Sequence, residues 1–410
     1  MNPVRRPCRM LQLLYPIAVL FINNQIVSNM KTIQYLTIVA LVLFTFNLGA
    51  QETYAEVTKG TTEPVKVATT EPTTEKTEAT EEEEEDAEKV DEDLMISGFV
   101  DGYYLAGFNG VGFPTSFTDV SGAFTLGMAN VVVAKEGEKV GFVADLAWGP
   151  RAEAANGTGE GILTAAIKQL YVTYAPSDAV TFTFGNFSTF VGYELIDAPG
   201  NVNYSTSYLF SNGPFYHTGV KADFALGENF GAMLGVFNDT DAKFDPVGGK
   251  HIGAQLSATA GSLSAYLNFI TGKEAELGDN DLNEYEIDLT ATYEVSESFM
   301  LGLNVANYGT SIDGRSQGGF FGTALYTTIT TSETFALGLR GEYFAPDGGE
   351  DVSDEPSIIA LTASGNITIG DLRLIPEFRI DLGSEDIFQD DEGMAVGSLP
   401  AFILAAVYSF

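Results

Sequence analysis

From Ile96 to Phe410, apolar side chains recur at every second position over short stretches, the spacing of a strand with one apolar face. Leu372, Leu374, Pro376, Phe378 and Ile380 fall on one face, with Arg373, Glu377, Arg379 and Asp381 on the other. Tyr285, Ile287, Leu289, Ala291 and Tyr293 alternate in the same way with Glu286, Asp288, Thr290 and Thr292. Phe335, Leu337 and Leu339 oppose Ala336, Gly338 and Arg340; Val180, Phe182 and Phe184 oppose Thr181 and Thr183. The pattern predicts strands near 96–108, 121–134, 140–148, 164–175, 180–187, 216–225, 230–237 and 251–259. It continues at 263–271, 284–294, 299–308, 320–330, 334–344, 357–369, 372–383 and 399–410. The count is about 16, with about 14 and about 18 as the neighbouring even counts of a barrel.

Alternation alone fits a soluble β-sandwich equally well. The connections separate the two. Short turns at 135–139, 176–179, 227–229, 296–298, 331–333 and Gly370-Asp371 take every second place, and longer Gly-, Asp- and Asn-rich loops take the others. That rhythm belongs to a transmembrane β-barrel with turns on one side of the membrane and loops on the other. Tyr285, Tyr293, Phe299 and Tyr343 lie toward the ends of apolar faces, where interfacial girdles are expected. The last strand carries Phe402, Leu404, Ala406, Tyr408 and Phe410 on one face. Its aromatic end resembles the insertion signal read by the outer-membrane barrel assembly machinery, with Tyr408 and Phe410 as the candidate residues. The expected fold class is all-β, a single antiparallel transmembrane β-barrel over 95–410.

The region before the barrel reads as addressing and tether. Residues 30–50 have the form of a signal peptide: Lys31, an apolar run from Leu36 to Phe46, then small residues before Gln51. The run falls short of the roughly 20 residues a transmembrane helix needs. Residues 1–29 repeat the theme weakly, with Arg5, Arg6 and Arg9 ahead of Leu11–Ile22, and are either an over-extended start or a longer leader. Residues 51–94 form a Thr/Glu-rich acidic tether, in which Thr61-Thr62-Glu63-Pro64 recurs as Thr69-Thr70-Glu71-Pro72 and Glu81 to Glu85 are unbroken. Few apolar residues and no hydrophobic period predict disorder there.

Composition agrees with strands and turns, since Gly (44), Phe (29) and Tyr (18) are abundant and Pro (15) is sparse. The net charge of −36 argues against nucleic acid as a partner and against docking onto an anionic lipid surface. Cys8 is the only cysteine and lies in the leader, so the barrel needs no disulfide and has no thiol ligand. It follows Arg-Arg-Pro rather than an apolar run, which argues against a lipoprotein. No cofactor or metal is expected.

Residues 180–219 resemble the OmpL-like outer-membrane β-barrel porin family. The carrying residues are Phe184-Gly185-Asn186-Phe187, Gly192-Tyr193-Glu194, Asn201 to Tyr204, and Tyr208 to Gly219 with Pro214-Phe215-Tyr216-His217-Thr218-Gly219. Gly98-Phe99-Val100-Asp101-Gly102-Tyr103-Tyr104 and Gln169-Leu170-Tyr171-Val172-Thr173-Tyr174 fit as well. The resemblance implies an outer-membrane channel in a Gram-negative cell and carries no catalytic residue with it.

A barrel of this size is too wide for wall side chains alone to fill. The longest connection, 188–215, holds Tyr193, Glu194, Asp197, Asn201, Tyr204 and Tyr208 as candidate pore-constriction residues, by analogy with general porins. A surface lid outside the barrel is the alternative. The charges with inward parity are Lys221, Asp223, Glu286, Asp288, Arg340, Glu342, Arg373, Glu377, Arg379 and Asp381. They either line a water-filled lumen or brace the wall as cross-strand pairs, and both roles are expected in part. Residues 95–410 hold 40 acids (56 − 16) and 12 bases (20 − 8), which predicts a mild cation preference. The acidic loops are expected to be solvated, with divalent ions bridging them to lipopolysaccharide. The Asp279-Asn280-Asp281 run lacks the glycine and distal glutamate of a calcium loop.

The function expected is passive diffusion of small hydrophilic solutes, with outer-membrane lipid, lipopolysaccharide and the assembly machinery as partners. His217 and His251, the two histidines, lie near strand ends without a nucleophile motif, so no enzyme is expected. A plugged structural or assembly barrel is the second reading and an outer-membrane hydrolase the third. A homotrimer is one arrangement open to such a barrel, and the solute is not legible.

Overall fold

The computed structural model describes residues 94–157, 161–245, 249–274, 282–350 and 355–410. The first strands are β1 (Met95–Gly107), β2 (Phe124–Glu136), β3 (Val140–Trp148), β4 (Ile167–Ser177), β5 (Val180–Ser188) and β6 (Tyr216–Ala225). Next come β7 (Phe230–Phe237), β8 (His251–Ala260), β9 (Leu263–Glu274), β10 (Leu282–Ser296), β11 (Phe299–Ile312) and β12 (Arg315–Ser332). The chain ends with β13 (Phe335–Asp347), β14 (Ile358–Ile369), β15 (Leu372–Gly383), a two-residue pair β16 (Phe388–Gln389) and β17 (Ala395–Val396), and β18 (Ser398–Ser409). Every strand except β16 and β17 belongs to one closed antiparallel barrel, in which β18 pairs with both β15 and β1.

The barrel closes on its last residue. Phe410 and Gly98 exchange backbone hydrogen bonds of 3.0 Å in both directions. A Cβ on Gly98 would lie 2.3 Å from the Asn130 carbonyl oxygen and 2.7 Å from the Phe410 ring, so glycine is required at this approach.

Alternation sorts the side chains inside and out. On β18, Phe402, Leu404 and Tyr408 are exposed on the outer face, whereas Leu399, Ala401, Ile403, Ala405 and Val407 are buried inside. Outward Leu170, Val172, Tyr174, Phe184, Leu325, Ile359 and Leu361 extend the same apolar exterior around the wall. An exposed apolar band of this extent is stable against lipid, not against water. Among the described residues no helix is long and apolar enough to cross a membrane; the crossing is made by strands.

The fold class is corrected in one respect. A sixteen-stranded antiparallel barrel is what the chain forms, and the signal peptide (30–50) and acidic tether (51–94) placed before it are not part of that fold. Apart from Leu94, those segments and residues 1–29 lie outside the described residues. Smaller differences concern edges. The loop expected at 309–319 is a continuation of β11 and β12 into a tight hairpin, where Asp313 (φ 51°) and Gly314 (φ 79°) take the left-handed conformations of a two-residue turn. The β16–β17 hairpin lies in the last loop, where no strand was expected.

Candidate functional site

The longest connection, residues 189–215, passes inside the barrel. Its local structure follows from its sequence. Ser207 caps a short helix, α1 (Tyr208–Asn212), by accepting a 3.0 Å hydrogen bond from the Phe210 amide, and Gly213 closes it by donating to the Leu209 carbonyl. Asn201 braces the preceding turn, accepting from the Leu195 amide at 2.9 Å and donating to the Leu195 carbonyl at 2.7 Å.

Wall charges then hold this backbone. Glu377 on β15 accepts from the Tyr204 amide at 2.7 Å, the Ser205 amide at 3.1 Å and the Ser364 hydroxyl at 2.6 Å. Glu342 on β13 accepts from the Tyr208 and Leu209 amides at 3.0 and 2.8 Å, satisfying two of the orphan donors at the start of α1. Arg340 donates to Glu194 at 2.5 Å and to the Ser205 carbonyl at 2.6 Å, while Glu194 accepts from Ser207. Arg379 is bidentate to Asp381 at 2.7 and 2.8 Å and donates to the Thr206 carbonyl. Asp381 in turn accepts from the Tyr208 hydroxyl at 2.7 Å. Arg373 donates to the Ala198 carbonyl at 2.6 Å, and Asp288 accepts from the Gly192 amide at 3.0 Å and from Asn268 and Asn304.

Apolar contact adds to this. Tyr193 stacks on Tyr326 with ring centroids 4.3 Å apart, and Tyr208 stacks on Phe344 at 5.6 Å. Glycines at 302, 322 and 338 leave room on the wall, since a Cβ on them would sit 2.3–2.5 Å from Tyr193, Leu209 and Val202. Ile196, Ala198, Tyr204, Leu209 and Phe210 pack in one cluster with Phe113, Phe117 and the inward face of β18. This cluster lies inside the barrel.

Three groups outside the candidate site residues complete the anchoring. Asp101 on β1 accepts from the Tyr204 hydroxyl at 2.5 Å and the Met128 amide at 2.7 Å. Lys168 on β4 bridges Asp145 at 2.6 Å and Asp197 at 2.7 Å. Arg151, on the loop helix α2 (Pro150–Asn156), donates to the Ile196 carbonyl and lies over the Phe117 and Tyr204 rings at 4.7 and 4.9 Å. Burial opposes its charge, but Tyr204 and Asp101 beside it more than offset that and hold the guanidinium above its ordinary value. Burial pushes the Tyr204 and Tyr208 hydroxyls well above theirs, keeping both as neutral donors to the carboxylates they face. Burial also raises the Asp197 carboxyl, against the pull of Lys168. The only sequence signal for Lys168 and Arg151 was the scarcity of bases in the barrel.

The surroundings of the ten charges differ from one another. Arg340, Glu342, Glu377, Arg379 and Asp381 are all at most 3 % exposed, so they meet loop backbone and not water. Their ion pairs do not link neighbouring strands, being Arg340–Glu194 to the loop, and Arg379–Asp381 and Lys221–Asp223 within one strand; across strands Arg340 donates to Thr362 and Glu377 accepts from Ser364. Lys221 and Asp223 keep substantial exposure, 23 % and 41 % of their side chains. His217 and His251 are buried inside the barrel; His217 bonds to Thr189 and stacks on Phe190 and Phe237, and His251 bonds to Glu284. Tyr408 and Phe410 are exposed on the outer face.

Between the end of α1 and the inner wall of β8–β11 remains a cavity of about 350 Å³. Asn212, Gly213 and Phe215 face it from the loop, and His251, Glu284, Glu286 and Tyr308 from the wall. Asp241, in the loop after β7, borders it and accepts from the Phe215 and Tyr216 amides at 2.8 and 2.9 Å. Burial pushes the Asp241 carboxyl up to about 6.

A sixteen-stranded barrel with an apolar exterior and a long loop held inside defines a porin-like transmembrane protein. The chain belongs to the family described as "Putative beta-barrel porin-2, OmpL-like", which matches residues 93–410. Solved structures with the same fold include the outer membrane channel DcaP of Acinetobacter baumannii, at 15% identity and TM-score 0.55, covering 78% of this chain and 97% of that one. The anion-selective porin of Comamonas acidovorans gives 13% and 0.53, covering 78% and 100%. OmpT of Vibrio cholerae gives 12% and 0.52, covering 79% and 100%. No curated protein sequence matches the chain.

Proposed function

We propose that this protein is a passive diffusion channel of the bacterial outer membrane for small hydrophilic solutes, with the 189–215 loop as its constriction. The observation that carries the reading is the loop's attachment: its backbone is bound by wall charges from β13, β15 and β10, and its Tyr204 hydroxyl by Asp101 on β1, so it narrows the barrel at a fixed place. A loop meant only to cover the mouth has no need of such anchors. The acid excess of the barrel gives the channel a mild cation preference. The reading assigns the protein no catalytic step. Its partners are membrane lipid, lipopolysaccharide at the acidic loops, the solutes, and the assembly machinery through Tyr408 and Phe410. A homotrimer remains one arrangement for it.

The second reading, a plugged structural barrel, draws on the fully apolar inward face of β18 and its packing against the loop. Planar-bilayer recordings decide between them. A channel conducts as the wild type, conducts more when residues 190–212 are deleted, and shows a cation-selective reversal potential in a salt gradient. A wild type that is silent until the deletion is made sinks the channel reading, and anion selectivity sinks the charge argument.

A further inference from the structure

Among the described residues, every buried carboxylate of the inner wall has a partner except one. Asp101, Asp145, Asp288, Glu342, Glu377 and Asp381 all accept hydrogen bonds. Glu286, on β10, is 5 % exposed, and among the described residues no donor or cation meets its carboxylate. It borders the 350 Å³ cavity instead, opposite Gly213. With no protein donor, this carboxylate takes its hydrogen bonds from whatever fills the cavity, and a cationic donor there would serve it best.

The surroundings narrow the choice. Neighbouring Glu284 is already engaged by His251 at 2.5 Å, Tyr308 at 2.8 Å and Thr240 at 3.2 Å. Asp241 is engaged by two backbone amides. No group of three metal-ligating side chains occurs among the described residues, so a metal ion would find too few oxygens. The cavity is also far larger than a bare ion and falls in the range of small-molecule sites, roughly 300–1,000 Å³. Three acids exclude an anion. Phe215 and Tyr308 line the cavity and add aromatic surface of the kind that suits an organic cation.

We propose that the cavity beside Glu286 is a subsite for a small organic ammonium solute, whose charged amine donates to the Glu286 carboxylate while its body lies against Phe215 and Tyr308. The proposal rests on the channel reading only for how the solute arrives. Glucosamine is a suitable probe, with glucose and N-acetylglucosamine as the same ring lacking the charge. Titration calorimetry on the detergent-solubilised full chain, at a pH where the amine is charged, should give a saturable isotherm for glucosamine alone. Glu286→Gln should weaken it at least tenfold, with barrel integrity checked by heat-modifiable migration on gels.

Gly213→Leu supplies an independent variant. Gly213 has extended backbone (φ −91°, ψ 173°), and a Cβ there would meet nothing closer than 3.4 Å, with Glu286 Oε1 3.9 Å away. The leucine side chain should project into the cavity beside Glu286 and abolish binding by obstructing it while Glu286 stays in place. Equal binding of glucosamine and glucose, no binding at all, or unaltered binding in both variants overturns the subsite. Binding without bilayer conductance leaves the subsite standing and removes the channel. Conductance without binding does the reverse.

Discussion

The anchoring of the loop is tested most directly by Arg340→Leu. The side chain is fully buried and donates to Glu194 at 2.5 Å, the Ser205 carbonyl at 2.6 Å and the Thr362 hydroxyl at 3.2 Å. Leucine fills similar volume but leaves the Glu194 carboxylate buried with only Ser207 as donor. Breaking a buried ion pair on one side costs about 3–5 kcal/mol. Glu377, Glu342, Arg379 and the apolar cluster still hold the loop, so the loss should be local. Hydrogen exchange reads it: Ser207 and Ser205 amide protection should fall between roughly 10²- and 4 × 10³-fold, at about 1.4 kcal/mol per tenfold. Strand amides of β18 should keep theirs. Adding Glu194→Gln to Arg340→Leu removes the stranded charge while keeping an acceptor for Ser207, so the double variant should recover part of the loss. Unchanged loop protection in the single variant would show that the pair does not pin the loop. Loss spread evenly through the strands would show that it supports the barrel instead.

Asp241 predicts a pH effect at the same loop. Its folded carboxyl, raised by burial to about 6 from 3.8 in spite of the Tyr216 and Phe215 amides and Lys243, takes up a proton more readily than it would unfolded. Its contribution to stability is therefore fully present below pH 3.8 and lost as pH rises through about 6, a change of about 3 kcal/mol. Protection of the Phe215 and Tyr216 amides should fall over that window, and Asp241→Asn should flatten the profile; the same slope in the variant would assign it to another group. At the barrel seam, Gly98→Val forces a side chain against the Asn130 carbonyl and the Phe410 ring. The temperature of heat-modifiable unfolding on gels should drop by several degrees, and an unshifted transition would mean the seam tolerates a Cβ.

The strands were legible because lipid outside and a different environment inside imprint a period of two. The ends of β3, β6, β7 and β15 fall where the pattern put them. β12 begins at Arg315 and not near 320, because Arg315, Ser316 and Gln317 stand on a hairpin that carries no apolar face for the pattern to report. Helix α1 had its signals, Ser207 ahead and Gly213-Pro214 behind, but five residues among Ser and Asn read as loop. Parity separates the ten charges from the apolar face of their strands. It cannot say whether an inward charge meets water or the amides of a loop fixed far away in sequence, and Glu377 lies 173 positions from Tyr204.

One strand did carry that information. β18 is apolar on both faces, with Leu399, Ala401, Ile403, Ala405 and Val407 buried inward and Phe402, Leu404 and Tyr408 outward. A strand without alternation is buried on both sides. In a membrane barrel one side is lipid, so the other must be protein, and the interior beside β18 has to be filled. The inward faces then divide the lumen. β18 and, apart from Asp101, β1 present apolar surface to the loop, and β13 and β15 present charges to its backbone. Across β8 to β11 runs a row of amides and one acid, Gln255, Asn268, Asp288 and Asn304, hydrogen-bonded to one another. Inward Lys221, Asp223 and Tyr266 keep their exposure on β6 and β9. In a diffusion channel built this way the solute follows the exposed β6–β10 side. On that side the loop and wall leave the Glu286 cavity, so a charge change there should alter passage more than one among the buried anchors of β13 to β15.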